Sequence, residues 1–274
     1  MQHKSIKLSD NNIIPVIGFG TWQLSPQEAR RSVAEALEIG YRHIDTARIY
    51  GNEKQIGEAV RSSGISRSEV FVTTKLWTSD LGYESGLRAF DESLSRLGLD
   101  YVDLYLIHWP GHDPKLRQEA WKALCEIQRQ GGAKSIGVSN YQINHLEQMA
   151  SYSDTPPSVN QVEFHPFIYG EQKDLLEYCA QSAIALEAYS PLARGRLNDP
   201  KLSEIGTAYG KTASQVMLRW ALQNDTIPLP RSSQATHIKE NFEIFDFELS
   251  REHLEEINNI NQAGRTAWNP SGLP

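Results

Sequence analysis

The chain has 274 residues, with 27 Lys+Arg against 34 Asp+Glu and a formal net charge of −7 at neutral pH. A hydrophobic fraction of 39% that includes 9% aromatics is enough for a real core and excludes a disordered chain. The negative balance, without any basic run, argues against a nucleic-acid partner.

Short apolar runs alternate with helical patterns from one end to the other. The opening segment MQHKSIKLSDNN lacks the apolar stretch of a signal peptide and reads as a short N-terminal extension. VIGFG (16–20) is the first strand candidate. Ser25-Pro26-Gln27-Glu28 then predicts a capped helix start, and Ala29, Val33, Ala36 and Leu37 form its apolar stripe. HID (43–45) and VFVTTK (70–75) follow as strands, the latter preceded by Ser66 to Glu69 in capping-box form. After YVDLYLIHW (101–109), Leu116, Trp121, Leu124 and Ile127 predict the next helix face. KSIGVSN (134–140) precedes a stripe of Ile143, Leu146 and Met149, and SVNQVEF (158–164) precedes one of Leu175, Cys179 and Ala183. IALEAY (184–189), a helix start at Thr212 to Gln215 and TIPLP (226–230) complete the series. The tail AGRTAWNPSGLP (263–274) has no period and fits either an ordered flap or a loose end.

Eight strands in strict alternation with helices predict a parallel sheet closed as a (β/α)8 TIM barrel, one domain spanning residues 1–274. The competing open, doubly wound sheet would carry a dinucleotide fingerprint at its first strand-to-helix turn. That turn reads GFGTWQ, and Gln23 occupies the third glycine position. No run reaches the roughly 18 apolar residues of a membrane span. Cys125 and Cys179 sit in helical patterns and suit neither a disulfide framework nor a zinc set, although a single bridge stays open. His43 and Asp45 could share a strand face, but without further ligands at matching spacing no metal is expected.

In a barrel, polar groups at the C-terminal strand ends meet at one mouth. Asp45, Lys75 and His108 end the second, third and fourth strands, and Tyr50 lies in the loop after Asp45. Singly, these could be a turn cap, its ion-pair partner, a core histidine and a buried aromatic. Together they make a chemical set. A buried lysine needs a counter-charge, which Asp45 supplies, and a cation beside Tyr50 should lower the phenol's pKa from its usual ~10. Such a proton donor suits carbonyl reduction. A desolvated lysine on a barrel strand is also a Schiff-base lyase device, although the acid beside Lys75 counts against a neutral amine. Glu163 reads as a structural acid, with a glycosidase pairing to Asp45 as the other option.

GYRHIDTARIYGNE (40–53), TTKLW (73–77), DLYLIHWP (103–110), GVSN (137–140), NQVEFHP (160–166) and YSPLARG (189–195) resemble the aldo-keto reductase superfamily, in family order over nearly the whole chain. The nearest resemblance is to short bacterial members of diketogluconate or methylglyoxal reductase type. It implies NADPH-dependent reduction of small aldehydes, methylglyoxal or keto-sugar acids, with NADH possible as a weaker donor. A cytoplasmic monomer is the expectation, with a small carbonyl compound as its partner. A non-catalytic, cofactor-sensing module of the same fold is the third option, which the intact four-residue set disfavours.

Under that resemblance Tyr50 is the general acid, Lys75 its activating cation, Asp45 the bridge to the lysine, and His108 the neutral donor that orients the carbonyl. Cofactor contacts are implied for Gly20, Thr21, Trp22 and Asp45 at the first two strand ends. Ser139, Asn140 and Gln161 would hold the carboxamide, and Tyr189 would stack on the nicotinamide. Ser190, Leu192 and Gly195 would surround the pyrophosphate, and Glu240 and Asn241 would meet adenine. Trp22, Tyr50, Trp77, His108 and Trp109 would wall the substrate pocket. Arg231, Ser232 and His237 would approach the 2′-phosphate. Many NADPH users carry lysine, serine and arginine there, so this chain replaces the arginine with a weaker cation.

Overall fold

The structure is a computed structural model that describes residues 4–260 and 264–274. Two short strands, β1 (Ser5–Lys7) and β2 (Ile13–Pro15), form an antiparallel hairpin. Eight parallel strands follow: β3 (Phe19–Gly20), β4 (His43–Asp45), β5 (Phe71–Leu76), β6 (Val102–Ile107), β7 (Ala133–Ser139), β8 (Val159–Glu163), β9 (Ala185–Tyr189) and β10 (Thr226–Leu229). Each pairs with the next in sequence order. The sheet closes because Gly18 and Gly20 N–H groups donate to the carbonyls of Pro228 and Pro230, each at 3.0 Å. This is the expected (β/α)8 barrel.

The helices lie between the strands: α1 (Pro26–Ile39), α2 (Glu53–Ser62), α3 (Tyr83–Leu97), α4 (Pro114–Arg129), α5 (Ile143–Ala150) and α6 (Tyr169–Gln181), one per connection. The long connection from β9 to β10 holds two, α7 (Pro200–Tyr209) and α8 (Ala213–Gln223). After β10 come α9 (Ala235–Phe242) and α10 (Arg251–Asn258). Ser25 and Glu28 cap α1 reciprocally, as do Thr212 and Gln215 on α8. Two backbone donors are thereby satisfied at each start.

Three local expectations fail for geometric reasons. Ser66 to Glu69 frames only a single 3-10 turn, without a side-chain cap. Leu116 is exposed, because the buried stripe of α4 runs through Arg117, Ala120, Trp121, Leu124 and Ile127. Leu116 stands about 100° around the helix from Arg117. Ala183 is exposed beyond the end of α6, at a left-handed φ of 56°. Cys125 and Cys179 are free thiols.

The interior has two apolar parts. The larger lies between strands and helices; the smaller fills the barrel and joins Leu8 and Ile14 to Phe71, Leu104, Leu106, Val159 and Ile227. Leu8 and Ile14 come from the N-terminal hairpin, which plugs the end of the barrel away from the mouth. The Asn12 amide holds the plug by donating to the Lys134 carbonyl and Ser135 Oγ. No helix among the described residues is long and apolar enough to cross a membrane.

Candidate active site

Neighbouring strands β4 and β5 bring Asp45 and Lys75 together in the barrel interior. Lys75 Nζ lies 2.7 and 2.8 Å from the two Asp45 carboxylate oxygens and 2.9 Å from the Thr46 carbonyl. All three ammonium hydrogens are therefore spent on acceptors. Lys75 is 0% and Asp45 4% exposed, so the pair is shielded from water. A lysine held as an ammonium in this way is a poor Schiff-base nucleophile, since attack requires the neutral amine.

Tyr50 ends a 3-10 turn, Arg48–Tyr50, that follows β4 and stops at Gly51, whose φ of 69° favours glycine. Its ring centroid lies 5.1 Å from Lys75 Nζ and 5.6 Å from the His108 ring, edge-on. The expected lowering of the phenol pKa is not what this environment produces. Burial, and then the Asp45 charge, hold the Tyr50 pKa well above its usual value. The cation next to it is already neutralised by Asp45. Tyr50 is thus a firmly protonated phenol.

His108 is driven the other way: burial, reinforced by the Lys75 charge, lowers its pKa and keeps the imidazole neutral. Its Nδ1 is buried without a partner among the described residues, which leaves Nε2 to meet a ligand. Trp77 packs edge-on against the ring, with centroids 5.1 Å apart. Behind the mouth, Gln161 Nε2 donates to Asp45 Oδ2 at 2.9 Å and to Glu187 Oε2 at 2.8 Å. Glu187 Oε1 in turn lies 3.5 Å from Nε2 of His43. Burial, and then the Asp45 charge, push the Glu187 pKa up to about 8. Burial and the Lys75 charge push that of His43 down to about 3, so it too is neutral.

The mouth opens into a cleft of about 950 Å³. Of the candidate residues, it brings together Gly20, Trp22, Asp45, Tyr50, Trp77, His108, Trp109, Asn140, Gln161, Tyr189, Ser190, Leu192, Gly195, Arg231 and Ser232. Lys75 lies behind this lining, covered by Asp45. Thr21 is buried with its hydroxyl on the Asp45 carbonyl. Ser139 is buried with its hydroxyl on the Gln161 carbonyl. Both support the cleft from below. His237 is exposed on α9 outside the lining, Asn241 is buried in α9, and the Glu240 carboxylate accepts from Thr212 at the start of α8. Sequence reading missed Arg194, whose guanidinium lies 4.6 Å from the Trp22 ring, and Ile49 and Gln23 at the rim. It also missed Glu187; the available signal was a lone acid in the apolar run IALEAY.

From Gly264 onward the tail is an ordered flap; its first residue, Ala263, lies outside the described residues. Oε1 of Glu163 accepts from the Thr266 amide and hydroxyl, both at 2.6 Å, and its carboxylate also accepts from the Ala267 amide. The far end is held by Arg117 on the Pro274 carbonyl, at 2.7 Å, and by His145 on that of Leu273, at 3.1 Å. Between these anchors Trp268 meets Trp109 at a centroid distance of 5.4 Å and lines the cleft. Glu163 is thus a structural acid, in line with the sequence reading.

The aldo/keto reductase family model matches residues 16–262. A glyoxal reductase of Bacillus subtilis is 44% identical over 98% of this chain and 97% of its own length. The crystal structure of an aldo/keto reductase from Brucella melitensis superposes with a TM-score of 0.92 at 47% identity, covering 95% of this chain and 99% of that one. A Bombyx mori aldo-keto reductase solved with NADP gives a TM-score of 0.92 at 36% identity, covering 100% of this chain and 98% of its own.

Two outcomes follow from the geometry. Replacing Lys75 with Met strands a buried carboxylate, and denaturant unfolding should show a loss of about 3–5 kcal/mol; unchanged stability would mean that the pair is solvated. For Glu163, burial alone would raise the pKa, but hydrogen bonds from His165 and Thr266 outweigh it and bring the value down to about 2. A folded-state pKa below the unfolded one (~4.3) stabilises the fold above that value and ceases to do so as pH falls toward 2. The stability of wild type relative to Glu163→Gln should rise by about 3 kcal/mol between pH ~2 and pH ~5. A gap that is constant with pH would contradict this assignment.

Proposed function

The chain belongs to the aldo/keto reductase family, and on that premise we propose that it is an NADPH-dependent reductase of small aldehydes and dicarbonyls. The observation that carries this reading is the meeting of a protonated phenol, a neutral imidazole and a buried Lys75–Asp45 pair at one cleft. The donor set fits a nicotinamide dinucleotide. The amides of Asn140 and Gln161 lie at the catalytic end, beside the half-buried Tyr189 ring. Arg231 and Ser232 lie across the cleft on the connection after β10. The Bombyx mori relative, solved in complex with NADP, supports the same cofactor. Bound there, NADPH supplies the hydride that reduces the carbonyl carbon.

The protein's own groups then have separable tasks. His108 donates from Nε2 to the carbonyl oxygen and orients it. Tyr50 transfers its phenolic proton to the same oxygen. An alkoxide is a far stronger base than a phenolate, so even a phenol of raised pKa delivers its proton downhill. Lys75, with its Nζ 5.1 Å from the ring centroid, offsets the Asp45 charge that the remaining phenolate would otherwise meet. Asn140 and Gln161 hold the carboxamide. The Tyr189 hydroxyl donates to Asn140 Oδ1 at 2.8 Å and fixes that side chain.

Trp22, Trp77, Trp109 and Trp268, with Ile49, line the cleft and favour small carbonyls without hydroxyl substituents over polyhydroxylated keto acids. The glyoxal reductase relative supports the same substrate class. A panel of methylglyoxal, simple aldehydes and keto-sugar acids, followed by NADPH absorbance, tests this order of preference. Higher kcat/KM for the keto-sugar acids would reverse it.

Tyr50→Phe should lower turnover at least ~10²-fold while leaving the Kd for NADPH nearly unchanged. Near-normal turnover would remove Tyr50 from the chemistry. For cofactor choice, His237 is the third residue of α9, five positions after Ser232 in the chain, and is exposed. His237→Arg should raise the NADPH/NADH ratio of kcat/KM by about tenfold, the effect of one added charged hydrogen bond. An unchanged ratio would mean that position 237 does not reach the 2′-phosphate.

A further inference from the structure

Gln161 stands between two carboxyl groups. Its single amide nitrogen donates one hydrogen to Asp45 Oδ2 and the other to Glu187 Oε2, at 2.9 and 2.8 Å. The three side chains come from β4, β8 and β9, and all are at most 4% exposed. An amide is planar, so two anchors on its nitrogen fix the direction of its oxygen as well. Turned over, it would set that oxygen against the Asp45 carboxylate. The oxygen Oε1 is thereby left as the Gln161 atom presented to the cleft, which this side chain lines.

Asp45 alone does not secure this orientation. With one anchor, the amide plane can turn about the Nε2–Oδ2 contact and swing Oε1 away from the cleft. Glu187 is the second anchor, and it has little else to hold. Its Oε2 is used by Gln161, and among the described residues its Oε1 has only the longer approach to His43. The charged and titratable groups facing it are His43 and Asp45 on β4 and Lys75 on β5. Two carboxyls can flank one amide here because Glu187 keeps its proton up to about pH 8, driven first by burial and then by the Asp45 charge. Mutual repulsion is thus absent at neutral pH.

We infer that Glu187 is a positioning residue: with Asp45 it locks the Gln161 amide so that Oε1 accepts the carboxamide N–H of the nicotinamide ring. This assignment rests on the NADPH reading given above. It concerns a residue that touches neither cofactor nor substrate and acts only through Gln161.

The test compares the equilibrium affinities of NADP⁺ and its 3-acetylpyridine analogue, measured by quenching of tryptophan fluorescence. The analogue carries a methyl ketone in place of the carboxamide and has no N–H to donate. Wild type should bind NADP⁺ more tightly than the analogue by about 3–10-fold, the range expected for one neutral hydrogen bond. In Glu187→Met, which removes the second anchor at similar volume, that ratio should fall toward one. Glu187→Gln should keep it, because its carbonyl can accept from Gln161. Should the methionine variant fail to fold, Glu187→Ala serves for the same comparison. An unchanged ratio in the folded variant would overturn the assignment, as would a wild type that does not discriminate. A wild type that binds neither dinucleotide would instead overturn the NADPH reading itself.

Discussion

The ion pair of Lys75 and Asp45 is the interaction to which every other group at the mouth adjusts. Bringing two charges into the barrel interior costs several kcal/mol per ion, and good geometry with further hydrogen bonds is needed to offset it. That geometry is present: two short contacts, a third to Thr46 and a fourth hydrogen bond to Asp45 from Gln161. The protonation of the surrounding groups then follows from which charge each one meets. Tyr50 and Glu187 meet the Asp45 anion and keep their protons; His108 and His43 meet the Lys75 cation and lose theirs. Burial acts in the same direction each time, by penalising the charged form. The outcome is a site with one buried ion pair and an otherwise neutral set of donors and acceptors.

The same economy applies at the rim. The flap is fastened at two places, by Glu163 near its start and by Arg117 and His145 at its end, and Trp268 is carried between them onto Trp109. Across the cleft, Arg194 lies over Trp22 from a loop in which Ser190, Ala193 and Arg194 all adopt left-handed φ values between 45° and 53°. Conformations of that kind cost non-glycine residues roughly 1 kcal/mol or more each and persist where surrounding contacts hold them. Both walls of the cleft therefore consist of segments held from outside by specific contacts, over a floor built from strands.

Where periodic pattern reflects local geometry, the sequence is legible. The strand ends at Asp45, Glu163 and Tyr189 fall where the alternation of runs puts them, and those at Lys75 and Asn140 within one residue, because a parallel strand buried on both faces reads as a short apolar run. The set Asp45, Tyr50, Lys75 and His108 was legible for a related reason: a charge in such a run needs a partner, and neighbouring strands offer one. Properties set by distant contacts were not legible. The tail has no period because its order comes from main-chain groups bonded to Glu163, about a hundred positions earlier in the chain. The sense of the Tyr50 shift was missed because proximity to Lys75 could be inferred, but not that Asp45 and Thr46 already use all of its hydrogens. Glu187 passed as strand filler in IALEAY; only Gln161, on the next strand, gives it a task. The hairpin went unread because its two short strands and the turn between them contribute just Leu8 and Ile14 to the barrel core.

The seam between β3 and β10 bears on how the molecule comes into being. Its bonds join Gly18 and Gly20 to Pro228 and Pro230, at opposite ends of the chain. At Gly18 there is no room for a side chain: a Cβ would stand 2.5 Å from Leu229 and 2.7 Å from the His43 ring. Contacts this distant in sequence form late and slowly. Gly20 and Arg231 face each other across this joint and both line the cleft. A nascent chain still emerging from the ribosome can have Asp45, Tyr50, Lys75 and His108 already synthesised, and even paired, while the groove that would receive a dinucleotide has only one of its banks. The groove gains its second bank only when β10 docks against β3.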